Sequence, residues 1–399
     1  MSVARRERLD ALAARTAREP PAGLAEIVRE ELRVDLTARY GGLSIPHPFG
    51  KGSGQLSCTL PQVAADVEQG VAFIVLKTVI AEAGDGTRSM GDWTVKESRM
   101  RVEPRTSAGG RDGWTVTWKG RGWTGRLEDY LLFFDQALGA ARERDTPVVP
   151  SVKYHLPTGG EPFAVDEYRH TTRALLRVWS RSGCRGPMVL EKDFSPTLAG
   201  DQRAVEQEQV LEWVRRVPGL MEDAARPAAV RVGIKLMNTL FDDAFQVVMT
   251  RAAADASPGP SFLVVFNRLF DPVRGVAFGG YDLSDRNLAV LDALGAGAGG
   301  ALPSLCATGN ICSGRMMMEY ALRGCESGQV HTFFQLPLSH YTATGGGRTA
   351  RALHTLLLHP RDGLVAWLWH LHGTGLLPER DGEIHFLDAC RLASPTGAS

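Results

Sequence analysis

Short apolar runs alternate with longer helical patterns along most of this 399-residue chain, and this alternation constrains the fold more than any other feature. Most of the runs are continuously apolar, as strands covered on both faces are. Such an order predicts a parallel sheet with helical crossovers. The chain has eight such strand–helix units, and no Gly-x-Gly-x-x-Gly follows an early strand. Both observations favour an α/β fold of the (β/α)8 TIM barrel type over an open doubly wound sheet. The predicted strands are 43–48, 71–77, 147–153, 187–193, 230–236, 262–267, 304–309 and 328–334, and the clearest helices between them are 165–180, 204–214, 242–253 and 314–322.

Three segments are additional to a minimal barrel. Residues 1–40 predict an N-terminal helical extension, and residues 349–372 predict two closing helices broken at Pro360. Residues 85–126 form an insertion after the second strand, and long insertions over a barrel usually shape its active site. The predicted division is an extension over 1–40, a barrel over 41–345 that includes the insertion, and C-terminal closing helices and tail over 346–399.

Composition excludes several classes of function. The formal net charge is zero, so nothing favours nucleic acid or an anionic membrane as a partner. No apolar run is long enough to span a bilayer, and the first residues lack the apolar core of a secretory signal, which predicts a cytoplasmic protein. The six cysteines form no Cys-x-x-Cys pair, so no metal site is expected.

Lysine is scarce, and its positions favour a site at the strand ends. Seven of the 45 basic residues are lysines, and four of them end predicted strands: Lys77, Lys153, Lys192 and Lys235. In such barrels the reactive residues lie at the carboxyl ends of the strands. A lysine there can hold a phosphate, offset negative charge or form a Schiff base. A snorkelling surface lysine explains any one of them, but four together favour a site.

Several short motifs follow one another along the chain: Pro48-Phe49-Gly50 with Gly52-Ser53-Gly54, 72–78, 232–236, 279–284, 307–314 with Glu319 and Gly324, and 329–332. In this order they resemble motifs of the dihydroorotate dehydrogenases, a family of FMN-binding barrels. The resemblance extends over roughly residues 43–335 and is shared in part with the FMN barrel of dihydropyrimidine dehydrogenases. It implies the (β/α)8 fold, an FMN cofactor and a homodimer, since dimers are common in the family.

The resemblance also implies the residues that bind FMN. Independently of it, loops after strands seven and eight of such barrels often bind phosphate through backbone N–H groups and a helix amino terminus, which suits Gly309 and the helix pattern that follows. The run around Lys235 carries no acid, which favours a role beside a reduced flavin over an interior salt bridge. His331 and Asn310 stand where the family has glycine, so their side chains either crowd the phosphate or contact it. The implied cofactor residues are Ser53, Gly54, Lys77, Thr78, Lys235, Asn267, Gly280, Ser284, Thr308, Gly309, Asn310, His331 and Thr332.

Strand four carries the predicted catalytic residues. By resemblance, Ser195 falls on the position of the base that removes a proton from a substrate carbon. A serine is a poor base unless a neighbour takes its proton, and Asp193 or Lys192 could be that neighbour. A simple Ser-Pro turn at residues 195–196 explains the same residues equally well.

The substrate half departs from the family pattern. Lys192 stands where an asparagine is expected, and the insertion around Lys119 offers Trp, Lys and Arg in place of amides. A site that recognises a polar ring through hydrogen bonds loses its selectivity when the amide side chains that make those bonds are replaced. Dihydroorotate is therefore an improbable substrate. The predicted substrate residues are Lys119, Asn238 and Asn267, and the predicted ligand is a small anionic or aromatic molecule.

These inferences predict an FMN-dependent oxidoreductase that acts on a CH–CH bond. Two other hypotheses stay open at this point. One is a barrel without flavin that uses Lys192 or Lys235 for lyase or aldolase chemistry. The other is a non-catalytic relative that binds a ligand or a protein partner.

Overall fold

The computed structural model describes residues 2–87, 101–107, 109–118, 122–123, 125–157, 160–194, 207–271, 273, 276–297 and 300–393. Two of the predicted site residues, Ser195 and Lys119, lie outside these ranges. The strands of the described part are β1 (Val34–Asp35), β2 (Ala38–Tyr40), β3 (Leu43–Ile45), β4 (Phe49–Lys51), β5 (Ile74–Val75), β6 (Val79–Ile80), β7 (Arg101–Thr106), β8 (Asp112–Trp118), β9 (Val148–Val149), β10 (Ser151–Lys153), β11 (Met188–Asp193), β12 (Val230–Met237), β13 (Phe262–Asn267), β14 (Leu269–Asp271), β15 (Val276–Gly279), β16 (Ser304–Thr308), β17 (Cys325–Val330) and β18 (Ile384–His385).

The helices surround the central sheet and connect its strands. Side chains fix several of their starts: Asp242 accepts a hydrogen bond from the amide of Phe245 at 2.8 Å, and Ser313 accepts one from Met316 at 3.1 Å. The helices are α1 (Val3–Thr16), α2 (Leu24–Leu32), α3 (Leu60–Glu68), α4 (Leu127–Ala141), α5 (Val165–Arg181), α6 (Gln207–Ala225), α7 (Asp243–Ala254), α8 (Tyr281–Ala296), α9 (Gly314–Ala321), α10 (Arg348–Leu358), α11 (Leu364–Gly373) and α12 (Phe386–Arg391).

Ten of the described strands form one curled parallel sheet, in the order β6-β10-β11-β12-β13-β16-β17-β4-β5-β9. The mixed α/β fold and the parallel sheet predicted from the alternation are therefore confirmed. Because the strands are parallel and follow one another around the curl, their carboxyl ends meet at one rim. The strands β11, β12, β13 and β16 lie within a residue or two of their predicted positions.

The prediction for strand one was wrong. Residues 43–45 do not join the main sheet but pair antiparallel with β2, and the strand that enters the main sheet is β4. Gly41 and Gly42 have positive φ angles of 56° and 76°, which lets the chain turn back at once. The hairpin carries Tyr40, which stacks on Phe73 with ring centroids 3.8 Å apart.

The last strand is also displaced from its prediction. The strand β17 ends at Val330, and the apolar residues after it form a 3-10 helix at Phe333–Gln335. Glu326, Ser327 and Gln329 make this strand polar, so the apolar pattern marked the helix that follows instead. The buried side chains of Phe333 and Phe334 explain why that helix is apolar.

The insertion after the second strand contributes a second sheet. Its strands β7 and β8 form an antiparallel hairpin, and β8 pairs in turn with β15. The four-stranded sheet β14-β15-β8-β7 therefore joins the insertion to the chain that follows β13. This arrangement brings Trp114 next to the rim of the main sheet.

The two ends of the described chain pack on each other. β1 pairs parallel with β18, and the amide of Thr344 donates to the carbonyl of Ala17 at 2.8 Å. The two predicted closing helices are confirmed as α10 and α11, which flank Pro360. Among the described residues, no helix has the length and apolar character that a bilayer span requires.

Candidate functional site

A cleft of about 890 Å³, counted with its open mouth, lies at the carboxyl ends of the main-sheet strands. This is the rim where the sequence predicted the site. Of the predicted site residues, the lining includes Ser53, Asp193, Lys235, Asn267, Gly280, Thr308, Gly309, Asn310, His331 and Thr332. The predicted residues that the lining does not include, among those described, are Gly54, Lys77, Thr78, Lys192, Asn238 and Ser284.

The floor of the cleft is a buried polar network. Nζ of Lys235 donates to Oε1 of Gln329 at 2.7 Å, and Nε2 of Gln329 donates to Oε2 of Glu191. The hydroxyl of Tyr40, from the β2–β3 hairpin, donates to the same carboxylate at 2.9 Å. Burial raises the pKa of Glu191, against the opposing effect of Lys235. The network orients Lys235 beneath the cleft.

For Lys235 the sequence favoured a role beside a flavin over an interior salt bridge, and the structure shows that an acid does lie near it. Oε1 of Glu191 lies 4.0 Å from its Nζ. The acid comes from the neighbouring strand, where Glu191 pairs with Gly233. Lys235 therefore lines the cleft and also forms an interior ion pair.

Lys192 and Asp193 lie on opposite faces of β11. Successive side chains of a strand point to opposite faces, so Glu191 and Asp193 share the inner face and Lys192 points outward. Asp193 lines the cleft and accepts a hydrogen bond from Nδ2 of Asn267 at 3.2 Å. Asp193, and not Lys192, thus occupies the cleft position that strand four provides.

Lys192 is buried outside the cleft. Its Nζ donates to the carbonyl of Asp193 at 3.1 Å and lies 4.6 Å from the ring centre of Phe194. Burial lowers the pKa of Lys192 to about 7, with Asp193 opposing the shift. Glu167 of α5 is also buried, and burial raises its pKa to about 8, with the amide of His155 and the charge of Lys192 opposing the shift.

Asp193 remains a carboxylate despite its burial. Burial alone would raise its pKa, but Lys153, Lys235, Lys192 and Arg268 outweigh that effect and lower it. Nζ of Lys153 lies 3.7 Å from Oδ2 of Asp193. Among the described residues that line the cleft, Asp193 is the one carboxylate, and Lys235 and Arg268 are the cations.

Two short hydrogen-bond chains connect other predicted residues. Oγ of Ser53 lies 2.8 Å from Oγ1 of Thr78, which lies 3.1 Å from Oγ of Ser151. The Nδ2 atom of Asn238 donates to the carbonyl of Asn267 at 2.6 Å. Asn238 thus supports the backbone of Asn267 from outside the cleft.

The loop after β16 presents backbone donors at the rim. Gly309 and Asn310 have positive φ angles of 110° and 52°. Within the described part of the chain, the amides of residues 309–312 have no hydrogen-bond acceptor. The helix α9 that follows is less available: the amide of Arg315 donates to the carbonyl of Asp362 at 2.8 Å, and Ser313 caps the amide of Met316. The predicted phosphate contacts are thus offered by the loop rather than by the helix terminus.

Asn310 ties the insertion to the main sheet. Its Oδ1 accepts from the amide of Trp114 at 3.2 Å, and its Nδ2 donates to Oγ of Ser284 at 3.0 Å. A Cβ at Gly280 would overlap the carbonyl of Trp114, so only glycine allows this approach. Asn310 and Gly280 therefore fix the indole of Trp114 at the cleft, where it meets His340 edge-on with ring centroids 4.8 Å apart.

His331 lies across the rim from the end of β17 to the loop after β4. A Cβ at Gly54 would overlap its Nε2 atom. This Nε2 is buried and has no hydrogen-bond partner among the described residues. Burial lowers the pKa of His331 well below its usual value, and Arg268, Lys51, Lys77 and Lys235 lower it further. The imidazole is therefore neutral and surrounded by cations.

The lining also includes residues outside the predicted set, and three of its long polar side chains are Gln55, Arg268 and Gln329. Both amide atoms of Gln55 are buried without a hydrogen-bond partner among the described residues. Arg268 directly follows the predicted strand-end residue Asn267, so a wider search of the strand ends could have found it. Gln329 begins the segment 329–332 that resembles a family motif, but nothing in the sequence indicated a role for its side chain.

A second cleft of about 2150 Å³ adjoins the first and shares Trp114, Cys312 and Phe333 with it. One group of potential metal ligands, Asp35, Glu383 and His385, occurs among the described residues, at the β1–β18 junction. Arg29 and Arg33 contact both carboxylate oxygens of Glu383 at 2.9 and 3.3 Å, which disfavours a cation there.

A curled parallel sheet with helical crossovers and a cleft at the carboxyl rim is the arrangement of the TIM-barrel-like α/β proteins. No family model and no curated protein matches this chain. A solved structure that it resembles is a DHODH from Eimeria tenella in complex with ferulenol, with a TM-score of 0.54 and 12% identity. The match covers 89% of this chain and 90% of that one, so the likeness in fold extends over nearly the whole length.

Proposed function

We propose that this protein is an FMN-dependent oxidoreductase of the dihydroorotate dehydrogenase type. It acts on a CH–CH bond of a small anionic or aromatic substrate other than dihydroorotate. The observation that carries the proposal is found at one rim of a DHODH-like fold, where loop amides with no acceptor among the described residues coincide with a cluster of cations. A phosphate and an electron-rich ring are the two parts of FMN that such a rim suits.

The proposal includes a closed (β/α)8 barrel, which the strand pairing supports. β9 and β10 are consecutive and flank Pro150, yet β10 stands second in the sheet order and β9 stands last. β5 and β6 are likewise consecutive and occur near opposite ends of that order. Because β5 pairs with β9 and β6 pairs with β10, the second and third segments of the chain pair with each other and join the two ends of the order.

The donor set of the rim fits FMN. The amides of residues 309–312 would hold its phosphate, and Lys235 and Arg268 would offset negative charge on its ring. Both amide atoms of Gln55 could serve the polar edge of the same ring. When bound, FMN supplies the acceptor for a hydride equivalent from the substrate.

The remaining cleft residues bind and orient the substrate. Asp193 stays ionised and holds the side-chain amide of Asn267, so the amide oxygen of Asn267 stays free to accept from the substrate. A carboxylate with a lowered pKa is a weak base, so Asp193 acts as a positioning residue. The base at Ser195 remains part of the proposal on the family resemblance alone. Trp114 covers the cleft and favours a flat ligand.

The absorption spectrum of the purified protein tests this function. The protein is expected to be yellow, or to become so on reconstitution with FMN, and to bleach with a suitable substrate in the absence of oxygen. Arg268→Gln removes a cation from the cleft and should weaken FMN binding about tenfold, because a charge-assisted contact is lost. Lys192→Met is the matched control, since it removes a buried basic side chain that does not line the cleft, and FMN binding should stay within about twofold.

A colourless protein that cannot be reconstituted with FMN would refute the proposal. Equal weakening by Arg268→Gln and Lys192→Met would refute the assignment of the cleft. In the colourless case, borohydride trapping of a carbonyl ligand would test the lysine-based lyase hypothesis. The adduct would then be expected on Lys235, which lines the cleft.

A further inference from the structure

His331 is held in one orientation and one tautomer. Nε2 of Gln335 lies 3.4 Å from the carbonyl of His331, which can only accept, so this atom of the glutamine is the amide nitrogen. The same nitrogen lies 3.0 Å from Nδ1 of the imidazole and must donate to it. In a neutral imidazole one nitrogen accepts and the other carries the hydrogen. The free N–H of His331 is therefore on Nε2.

This N–H is buried at the cleft without an acceptor. The side chain of His331 lines the cleft, and its Nε2 is inaccessible to solvent. A buried donor without a partner costs roughly 1–3 kcal/mol, so such groups call for an explanation. The unpartnered amide of Gln55, one residue beyond the glycine that His331 covers, lies at the same end of the cleft.

The charges around His331 favour an anion. Four cations act on it from four strand ends: Lys51 of β4, Lys77 after β5, Lys235 of β12 and Arg268 after β13. Asp66 of α3 pairs with Lys51 at 2.7 Å, and Glu191 lies 4.0 Å from Lys235, so these two cations are partly offset. Asp193 of β11 also opposes Lys235 and Arg268. The summed effect of the surrounding charges on His331 still disfavours an imidazolium, and a negative ligand would counter that effect.

We propose that His331 binds an oxygen of the ligand's phosphate through Nε2–H and takes up one proton as the ligand binds. The proposal rests on the proposed function, because the phosphate is that of FMN. A dianionic phosphate beside the cations removes the electrostatic cost of a second proton on the imidazole. The proton goes to Nδ1, and Gln335 then turns its amide oxygen toward that atom. Where the family has glycine, this chain thus has a ligand-dependent cation.

The test measures binding and protonation separately. FMN and inorganic phosphate are titrated into the full chain at pH values from 7.5 to 8.5, where a phosphomonoester is already dianionic. Each dissociation constant is expected to rise by about tenfold per pH unit, as linkage to one proton requires. The C2–H resonance of His331, identified by its loss in His331→Gln, should move to the imidazolium position when either ligand is added. His331→Gln should bind with a constant that varies less than about twofold over this range.

His340→Gln is the matched control, because His340 is an exposed imidazole of the adjoining cleft. It should retain the pH dependence of the native chain. FMN binding with no movement of the His331 resonance would overturn the inference and leave the proposed function intact. Phosphate binding that protonates His331, together with no binding of FMN, would support the inference and overturn the proposed function. Failure of both ligands to bind would overturn both.

Discussion

Protonation of His47 should destabilise the fold at mildly acidic pH. This residue precedes β4, at the end of the sheet opposite the cleft, and is only 3% exposed. Its Nδ1 accepts from the amide of Phe49 at 3.3 Å, so its Nε2 carries the hydrogen and donates to the carbonyl of Gly70 at 2.9 Å. A second proton on Nδ1 would break the bond to Phe49 inside an apolar site. Burial accordingly lowers the pKa of His47 to about 4, with the Gly70 carbonyl and Glu26 opposing the shift.

The size of the effect follows from that shift. A fall from 6.5 to about 4 corresponds to roughly 3 kcal/mol when fully expressed. Because the native state favours the neutral form, this stability is present above pH 6.5 and is lost as the pH falls toward 4. At pH 5 the loss is about 2 kcal/mol relative to pH 7.5. His47→Gln keeps a donor for Gly70 and cannot take up the proton.

Urea unfolding followed by tryptophan fluorescence measures the effect. Between pH 7.5 and 5, the native chain should lose about 2 kcal/mol more stability than His47→Gln. Other titrating groups are common to both proteins and cancel in the difference. His340→Gln, which removes an exposed imidazole, should follow the native chain at every pH. Parallel curves for native and His47→Gln would refute the reasoning.

Three further predictions concern packing and buried charge. Gly314→Ala should destabilise the chain by about 1–3 kcal/mol in the same urea assay, because the added Cβ would overlap the backbone of α10 and of the start of α11. Gly295→Ala is the control: it lies on an open face of α8 and should be neutral or slightly stabilising. Gln329→Leu leaves a buried carboxylate and a buried ammonium without their shared amide and should lower the unfolding midpoint by the equivalent of about 3 kcal/mol; an unchanged midpoint would contradict the network. Lys192→Met should gain stability relative to the native chain as the pH falls from 10 toward 7, because the lysine of the unfolded chain takes up a proton over this range while the buried lysine stays neutral; a difference in the urea midpoint that does not change with pH would contradict this.

Apolar patterning predicted the strands whose two faces are both covered by protein. β11, β12, β13 and β16 are such strands, and their predicted bounds hold within a residue or two. It failed where a strand faces a polar interior, as in β17, and where an apolar run forms a hairpin, as in β3. The paired glycines before β3 were a signal for that turn, since positive φ angles favour glycine.

The sequence predicted where the cleft lies, but not which side chains of β11 point into it. All six residues of β11 are buried, so hydropathy gives no sign of which ones point into the cleft. The family resemblance placed Lys192 at the cleft, where an asparagine is expected. The pleat of the strand instead directs Asp193 into the cleft. A shift of one residue exchanges every side chain between the two faces. The same sequence therefore fits a cationic or an anionic cleft wall until the register is known.

The partners of a buried charged side chain are harder to predict from the sequence than the face of the strand on which that side chain lies. The run that contains Lys235 has no acid, yet Glu191 lies 4.0 Å from its Nζ, because the parallel register brings Glu191 beside Gly233. The hydroxyl of Tyr40 donates to the same carboxylate from a hairpin 151 residues earlier in the chain. Interior polar networks of a curled parallel sheet are built across strands, so the sequence of any one strand cannot reveal them. The cleft of this protein consequently has a charged floor that neither the apolar pattern nor the motifs contain.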